Sequence, residues 1–447
     1  MRFSAIRRLH LRWALAALAA CSLAVTACSA GSLGSSESNK KSAVTLSFMV
    51  GNTEEAIKTA QRLAKDFHAA NPNITINLDI GPGGTELDNL VKTRLSTGAM
   101  DDVFLYNSGS LFQQINPQKN LLPITVESFL KNVEDQFIPN VKAGNDVYGV
   151  PFGTVAGGGV FYNRKAYDRL GLQIPKTWAE FMANNAKFKA ARITRVIQTF
   201  GDTWTSQVLI LADFHNVAAN EPDFVERYTN NQAKYSTDPA AVKGFEHLQQ
   251  IHDAGYLNKD FGAAKLNDGL RAVATGKGAH YPMLTALVGQ MVANVPSSAQ
   301  DVGFFALPGD DASKNGLTIW YPNAVYIPKT TTGAKLDAAK KFLGFIGSTP
   351  GCDSQTKALP PTGAYMVKGC TLPSDLPQAI QDMLKYLQTP GQSSPALEFL
   401  SPIKGPNLEN ITVEVGSGIR SAKVGAAEYD ADVRKQAQQL GLPAWQQ

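Results

Sequence analysis

An α/β fold with mainly parallel sheets is what this sequence predicts, and three observations carry the expectation. The first is a β-α-β pattern: residues 44–50 read as a strand, 54–70 as a helix and 74–80 as a second strand. A crossover of that size implies parallel pairing. The second is a further helix over residues 86–97 that leads into a third strand at 103–106, the alternation expected of a sheet covered by helices. The third is length. A chain of 447 residues exceeds the ~250–300 at which a single core stops growing, so two or more globular units are expected.

The first strand ends at Gly51, Asn52 and Thr53, a turn and a cap before Ala56, Ala60, Leu63, Ala64 and Phe67 recur at helical spacing. Asn71 and Pro72 stop that helix, and residues 74–80 then alternate as a half-buried strand. Gly98 and the Asp101-Asp102 pair lead into the third strand. The strand ends at Asn52 and Asn107 therefore fall on one carboxyl edge, where open sheets place ligands. Tyr148 to Gly153 breaks the periodicity, and Gly157-Gly158-Gly159 precedes the apolar Val160-Phe161-Tyr162. A mostly helical stretch follows, with patterns at 178–192, 240–254 and 270–276; strand-like runs return at 302–307 and 317–327. Helices are expected at 334–346, 377–387 and 411–440. No period of 20–50 residues repeats, which argues against solenoids and propellers.

Composition excludes several classes. The apolar fraction is 44% and the formal net charge is +4, which is not the profile of a disordered chain. Arg2, Arg7, Arg8 and Arg12 account for the whole basic excess, so the globe lacks the local positive charge that a nucleic-acid binder needs. Those arginines precede an apolar run from Trp13 to Ala27, too short to span a bilayer and suited to a signal-peptide core. It ends in Val25-Thr26-Ala27-Cys28, which resembles the lipobox of bacterial lipoproteins. The resemblance implies cleavage after residue 27 and a lipid on Cys28, holding the protein at the outer face of the cytoplasmic membrane. Arg7-Arg8 partly resembles a twin-arginine signal, but Ile6 and His10 depart from it and the general export route is expected. Residues 28–43 are polar and Gly/Ser-rich, a flexible tether. With Cys21 removed and Cys28 lipidated, Cys352 and Cys370 remain in the globe of an exported protein, and a disulfide between them is expected. It would contribute roughly 3 kcal/mol.

The chemistry of the chain points away from familiar catalytic and metal motifs. His10, His68, His215, His247, His252 and His280 are scattered without metal-ligand spacing, so no metal site is expected. Lys277 sits between two glycines without the rest of a P-loop, and reads as a helix-ending turn. Serine in a nucleophile-elbow pattern is missing. Paired carboxylates for glycoside hydrolysis meet in space rather than in sequence, so that class stays open at this point. Aromatic and amide residues gather near expected strand ends: Tyr106-Asn107, Trp204 beside Asp202, Tyr281, and Trp320-Tyr321-Pro322-Asn323. Flat aromatic faces with carboxylates and amides suit sugars, which present apolar C–H faces ringed by hydroxyls.

The stretch Tyr148-Gly149-Val150-Pro151-Phe152, then Gly159 to Asn163, Leu170-Gly171-Leu172 and Pro175-Lys176-Thr177-Trp178-Ala179-Glu180-Phe181 resembles the central signature of the sugar-binding proteins of bacterial ABC importers, the class that includes maltose-binding protein. Asp101-Asp102-Val103, Gly276 to Tyr281, Ala338 to Ile346 and Leu359 to Gly363 resemble further segments of it. Tyr167, the bare Gly157-Gly158-Gly159 run and Pro282-Met283-Leu284 depart from the pattern. The resemblance implies a two-lobed, periplasmic-binding-protein-like α/β fold, each lobe a mainly parallel sheet flanked by helices, with the ligand cleft between the lobes. Lobe 1 would take residues 44–153 and about 322–390, and lobe 2 about 154–321 and 391–447. It further implies a monomer that captures a sugar by hinge closure, passes it to a membrane permease, and needs no cofactor. Contacts are expected at Asn52, Thr53 and Glu54, at Glu86, at Tyr106, Asn107, Ser108 and Gly109, at Asp202 and Trp204, at Tyr281 and Met283, and at Trp320 and Asn323. Trp178 is expected to be structural. A di- or oligosaccharide is favoured over a polyol, a glycerophosphodiester or another small polar solute; a phosphate-bearing ligand would want Arg or Lys, and none of these positions supplies one.

Overall fold

In chain order the strands are β1 (Val44–Val50), β2 (Ile74–Ile80), β3 (Val103–Tyr106), β4 (Lys142–Ala143), β5 (Asp146–Val147), β6 (Gly149–Phe152), β7 (Ala156–Asn163), β8 (Thr194–Val196), β9 (Gly278–Leu284), β10 (Val302–Ala306), β11 (Leu317–Trp320), β12 (Asn323–Tyr326) and β13 (Ser393–Pro395). They come from a computed structural model that describes residues 43–446. The expected signal peptide and Cys28 lie outside the described residues, as does the tether up to residue 42.

Two larger sheets result, one in the order β2-β1-β3-β12-β6 and one in the order β13-β11-β7-β9-β8, with β10 also on β7. In the first, β1 runs parallel to β2 and β3, while β12 is antiparallel to β3 and β6. In the second, β7 is antiparallel to β9, β10 and β11, whereas β8 follows β9 and β13 follows β11. Each sheet thus has a single reversed strand, and it is a strand arriving from the other sheet. The chain crosses from β6 to β7 through residues 153–155, from β11 to β12 through 321–322, and a third time between β12 and β13, ahead of the helix Gln378–Gln388. The run 317–327, which reads as one strand, is therefore two strands in different sheets. Pro322, which has no N–H for a ladder, lies at the break.

The glycine run has a packing reason. A Cβ on Gly158 would lie 2.3 Å from Cζ3 of Trp320, so the bare backbone of β7 is what seats that indole. Further along β7, Val160 and Phe161 point to opposite faces. Val160 joins a core with Phe181, Phe245 and Tyr429, and Phe161 one with Tyr281, Met283 and Met383. The first sheet has its own core around Phe48, Phe67, Phe104 and Phe342.

The helix Glu54–Ala70 forms over the expected residues, with Thr53 as its cap. The expected helix at 411–440 is two, Leu408–Gly416 and Ala422–Gln439, separated by Gly418 at φ 73° and restarted by the Ser421 cap. The helix Gln378–Gln388 packs through Ala379, Ile380 and Met383 on the core of the second sheet, although the sequence division kept residues up to about 390 with the first. Trp178 is structural: buried, it donates to Gln250 (2.7 Å) beside a Thr177–Glu180 capping box. The expected Cys352–Cys370 disulfide is present, with Cα atoms 6.1 Å apart.

Candidate functional site

The carboxyl ends of β1 and β3, the crossings at 153–155 and 321–322 and the end of β9 open onto a cleft between the two sheets. It holds two connecting basins of 280 Å³ and 310 Å³, which share Thr53, Asn107, Trp204, Gln207, Asn323 and Lys404. The first half contributes the starts of two helices, Glu54–Ala70 and Gly84–Thr97. The second half contributes the 3₁₀ turn Thr203–Gln207 and the segment from Glu398 to Glu409.

Asn52, Thr53, Tyr106, Asn107, Trp204, Trp320 and Asn323, expected as contacts, all line the cleft. Thr53 spends a lone pair on the Ala56 N–H (3.2 Å). The Asn107 carbonyl accepts from the Tyr326 hydroxyl (2.9 Å), which fixes its backbone. The Trp320 indole N–H donates to one carboxylate oxygen of Glu398 (2.5 Å), and Lys404 Nζ holds the other (2.7 Å). With Gly158 beneath it, this ring is fixed from two directions.

Other expected contacts sit elsewhere, each for a packing reason. Glu54 turns outward and pairs with Lys58 one helical turn on; its neighbour Glu55 faces the cleft instead. Glu86 is exposed, because the helix begins at Gly84 and brings Thr85 and Asp88 to the cleft. Ser108 is buried and donates to the Pro322 carbonyl (2.8 Å). Gly109, at φ 70°, is where the backbone of the second half comes close: a Cβ there would lie 2.5 Å from the Glu398 carbonyl oxygen. Asp202 accepts from the Leu266 N–H (2.8 Å) at the start of another helix. Tyr281 and Met283 are fully buried in the second sheet's core, the tyrosine hydroxyl bonded to Thr199 (2.7 Å).

Sequence reading missed Glu55, Asp88, Gln207, Glu398, Lys404 and Glu409. Burial raises the Glu55 carboxyl to about 7. Burial also raises Asp88, which faces the Tyr106 hydroxyl. That hydroxyl is buried without a hydrogen-bond partner among the described residues. Glu409 accepts from Thr85 of the first half (2.8 Å) and from Thr203 of the second (3.1 Å), so it bridges the cleft. Lys404 is neutralised by Glu398. The wall therefore offers flat indole faces, amides and carboxylate acceptors, with its lysine already paired. Such a surface suits a neutral ligand rich in hydroxyls better than an anion.

The family model of the bacterial extracellular solute-binding proteins matches residues 51–351. The multiple sugar-binding protein of Streptococcus mutans is 25% identical over 333 residues, covering 73% of this chain and 75% of that protein. A chitin oligosaccharide binding protein superposes with a TM-score of 0.77 at 22% identity, over 89% of this chain and 99% of its own. The solute-binding protein RafE in complex with raffinose does so with a TM-score of 0.72 at 20% identity, over 88% and 99%. These solved structures agree with the two-sheet fold, and the family match covers the crossings at 153–155 and 321–322. The chain belongs to the bacterial extracellular solute-binding proteins.

Proposed function

We propose that this protein captures an extracellular carbohydrate, a di- or oligosaccharide, and delivers it to the membrane permease of an ABC importer without altering it. The observation that carries the reading is the cleft wall, where Trp204 and a Trp320 ring fixed by Glu398 stand among amides and carboxylates. Aromatic faces stack on sugar C–H surfaces while forked acceptors take the hydroxyls. Two connecting basins astride Trp204 favour a ligand longer than one ring. The named ligands and functions of relatives, including raffinose for RafE and multiple sugars for the Streptococcus mutans protein, support the class.

Residues 153–155 and 321–322 serve as the hinge between lobes that close on the sugar. Lipid on Cys28 would keep the monomer at the outer face of the cytoplasmic membrane; Cys28→Ser should then release or leave unprocessed a protein that fractionates with membranes as wild type. Wild type recovered wholly soluble, with an N-terminus other than residue 28, would end the anchoring proposal. The ligand test is isothermal titration against di- to tetrasaccharides including raffinose, stachyose and chitin oligosaccharides, followed by denaturation and analysis of the released sugar. Saturable binding and intact sugar are expected. Shortened fragments would mean a hydrolase, and binding of a polyol or glycerophosphodiester alone would replace the ligand class.

A further inference from the structure

Away from the cleft, and sharing none of its lining residues, a cavity of 280 Å³ opens in the second half of the molecule between the helix Phe214–Asn220 and the helix Lys243–Asp253. Two of the residues that line it carry buried polar atoms without a hydrogen-bond partner among the described residues, Asp213 Oδ2 and His247 Nδ1. Both residues are only 2% exposed. Buried polar groups are almost always satisfied, so two orphans on one cavity call for an explanation.

The neighbours limit what could satisfy them. Asp213 Oδ1 accepts from Asn216 Nδ2 (2.8 Å), which also donates to the Leu307 carbonyl (3.1 Å). The Asn216 side-chain carbonyl is left as a further acceptor. Among the described residues, no lysine or arginine pairs with Asp213; Lys243, on the cavity wall, lies against Glu246 (3.4 Å) and Asp310 (3.6 Å). Burial pulls the His247 imidazole down to about 3, so the ring is neutral and one of its nitrogens is an acceptor. The cavity is thus short of donors and of positive charge.

We infer that this cavity binds a small ligand through a protonated amine, whose N–H groups are taken by Asp213, Asn216 and His247. A metal ion fits less well, because among the described residues no three His, Cys, Asp or Glu side chains stand together as ligands. An anion would meet Asp213, Asp310 and Asp311 against one lysine that is already paired. A neutral sugar would find Pro239 and Ala240 but no Trp, Tyr or Phe face. The inference does not depend on the carbohydrate reading of the cleft.

The test is thermal unfolding of the purified protein with methylammonium chloride, titrated against sodium chloride at constant ionic strength. Tetramethylammonium, with the same charge and no N–H donor, and calcium chloride form separate arms. Methylammonium should raise the melting temperature saturably and tetramethylammonium should not. Asp213→Asn keeps the shape and removes the carboxylate that would face the ammonium, and it should raise the half-saturating concentration by roughly tenfold or more. His247→Phe should weaken the response independently, while the cleft variant Trp204→Ala should leave it intact. No methylammonium response, an equal response to both cations, an unchanged response in Asp213→Asn, or a loss in Trp204→Ala would each overturn the inference. Stabilisation by calcium at lower concentration than methylammonium would overturn it in favour of a metal.

Discussion

Replacing Glu398 by Gln tests how the cleft holds its aromatic wall and why its lysine is silent. Glu398 and Lys404 are 13% and 14% exposed and 2.7 Å apart, so the pair is close to the buried limit. Removing one partner of a buried pair typically costs about 3–5 kcal/mol, because the other charge is left unpaired. The remaining solvent access brings the expectation for Glu398→Gln to about 3 kcal/mol. The introduced amide would keep an acceptor for the Trp320 indole, so the ring should stay in place and affinity for the accepted sugar should fall less than about tenfold. Freeing the Lys404 ammonium should also introduce weak, salt-sensitive binding of anionic sugars that wild type lacks. Adding Lys404→Met removes the orphaned charge, and the double variant should regain most of the lost stability. Urea unfolding of the four proteins in the cycle, with titration calorimetry at low and high salt, reads both effects. A double variant as unstable as Glu398→Gln would show that the pair is not coupled, and the account of the wall would be wrong.

Trp204→Ala should weaken every accepted sugar by a few kcal/mol without changing the order of preference, because stacking buries area without reading hydroxyl positions; titration of the sugar panel checks this. Reducing the Cys352–Cys370 bridge should lower stability by roughly 3 kcal/mol in urea unfolding, the loop-entropy value, with little effect on affinity. Burial holds His247 and His280 down at about 3 from an ordinary 6.5. Their stabilisation is therefore complete above pH 6.5 and lost as pH falls toward 3, by about 1.4 kcal/mol per unit each. Asp213, raised by burial to about 7, works in the opposite direction over pH 7 to 4, so Asp213→Asn should steepen the acid loss of stability; an unchanged slope in unfolding from pH 7.5 to 4.5 would contradict it.

Much of the fold was legible because local signals and the global arrangement agree. Thr53 caps, Ala56 to Phe67 repeat and Asn71 stops, and the helix Glu54–Ala70 obeys all three. The glycine run of β7 was visible but uninterpretable, since its meaning lies in Trp320, more than 150 positions away and pressed against Gly158. The candidate site divides along the same line. Residues just after strands, such as Asn52 and Asn107, could be placed from strand ends, whereas Trp204 sits in the 3₁₀ turn Thr203–Gln207, well beyond the end of β8. Glu54 and Glu86 missed by the phase of a helix, and the Glu54–Lys58 spacing was the available sign that Glu54 faces outward. Tyr281 and Met283 lie within β9, whose interior is buried; Leu284, at its end, reaches the cleft. Glu398, Lys404 and Glu409 enter the cleft from the last sixth of the chain, and their roles depend on distant residues: Glu398 takes the indole of Trp320, and Glu409 accepts from Thr85 and Thr203.

That distribution bears on how the proposed closure is driven. The buried residues of the first sheet's core are distinct from those of the two cores on the second sheet, and half-buried Ile319 and Leu387 touch both sides. Besides the chain crossings, the halves meet through polar contacts such as Thr85 to Glu409 (2.8 Å) and Gln114 to the Lys404 carbonyl (3.3 Å). A hydrogen bond of this kind contributes about 1 kcal/mol net, somewhat more to a carboxylate. Contacts that weak bias the cleft toward the observed arrangement without locking it. A sugar bound at micromolar affinity supplies about 8 kcal/mol, enough to dominate those contacts. The proposed signal to a permease would thus come from the ligand bridging Trp204 on one wall and Asn52, Thr53 and Asn107 on the other, and Glu409 would set only the starting balance.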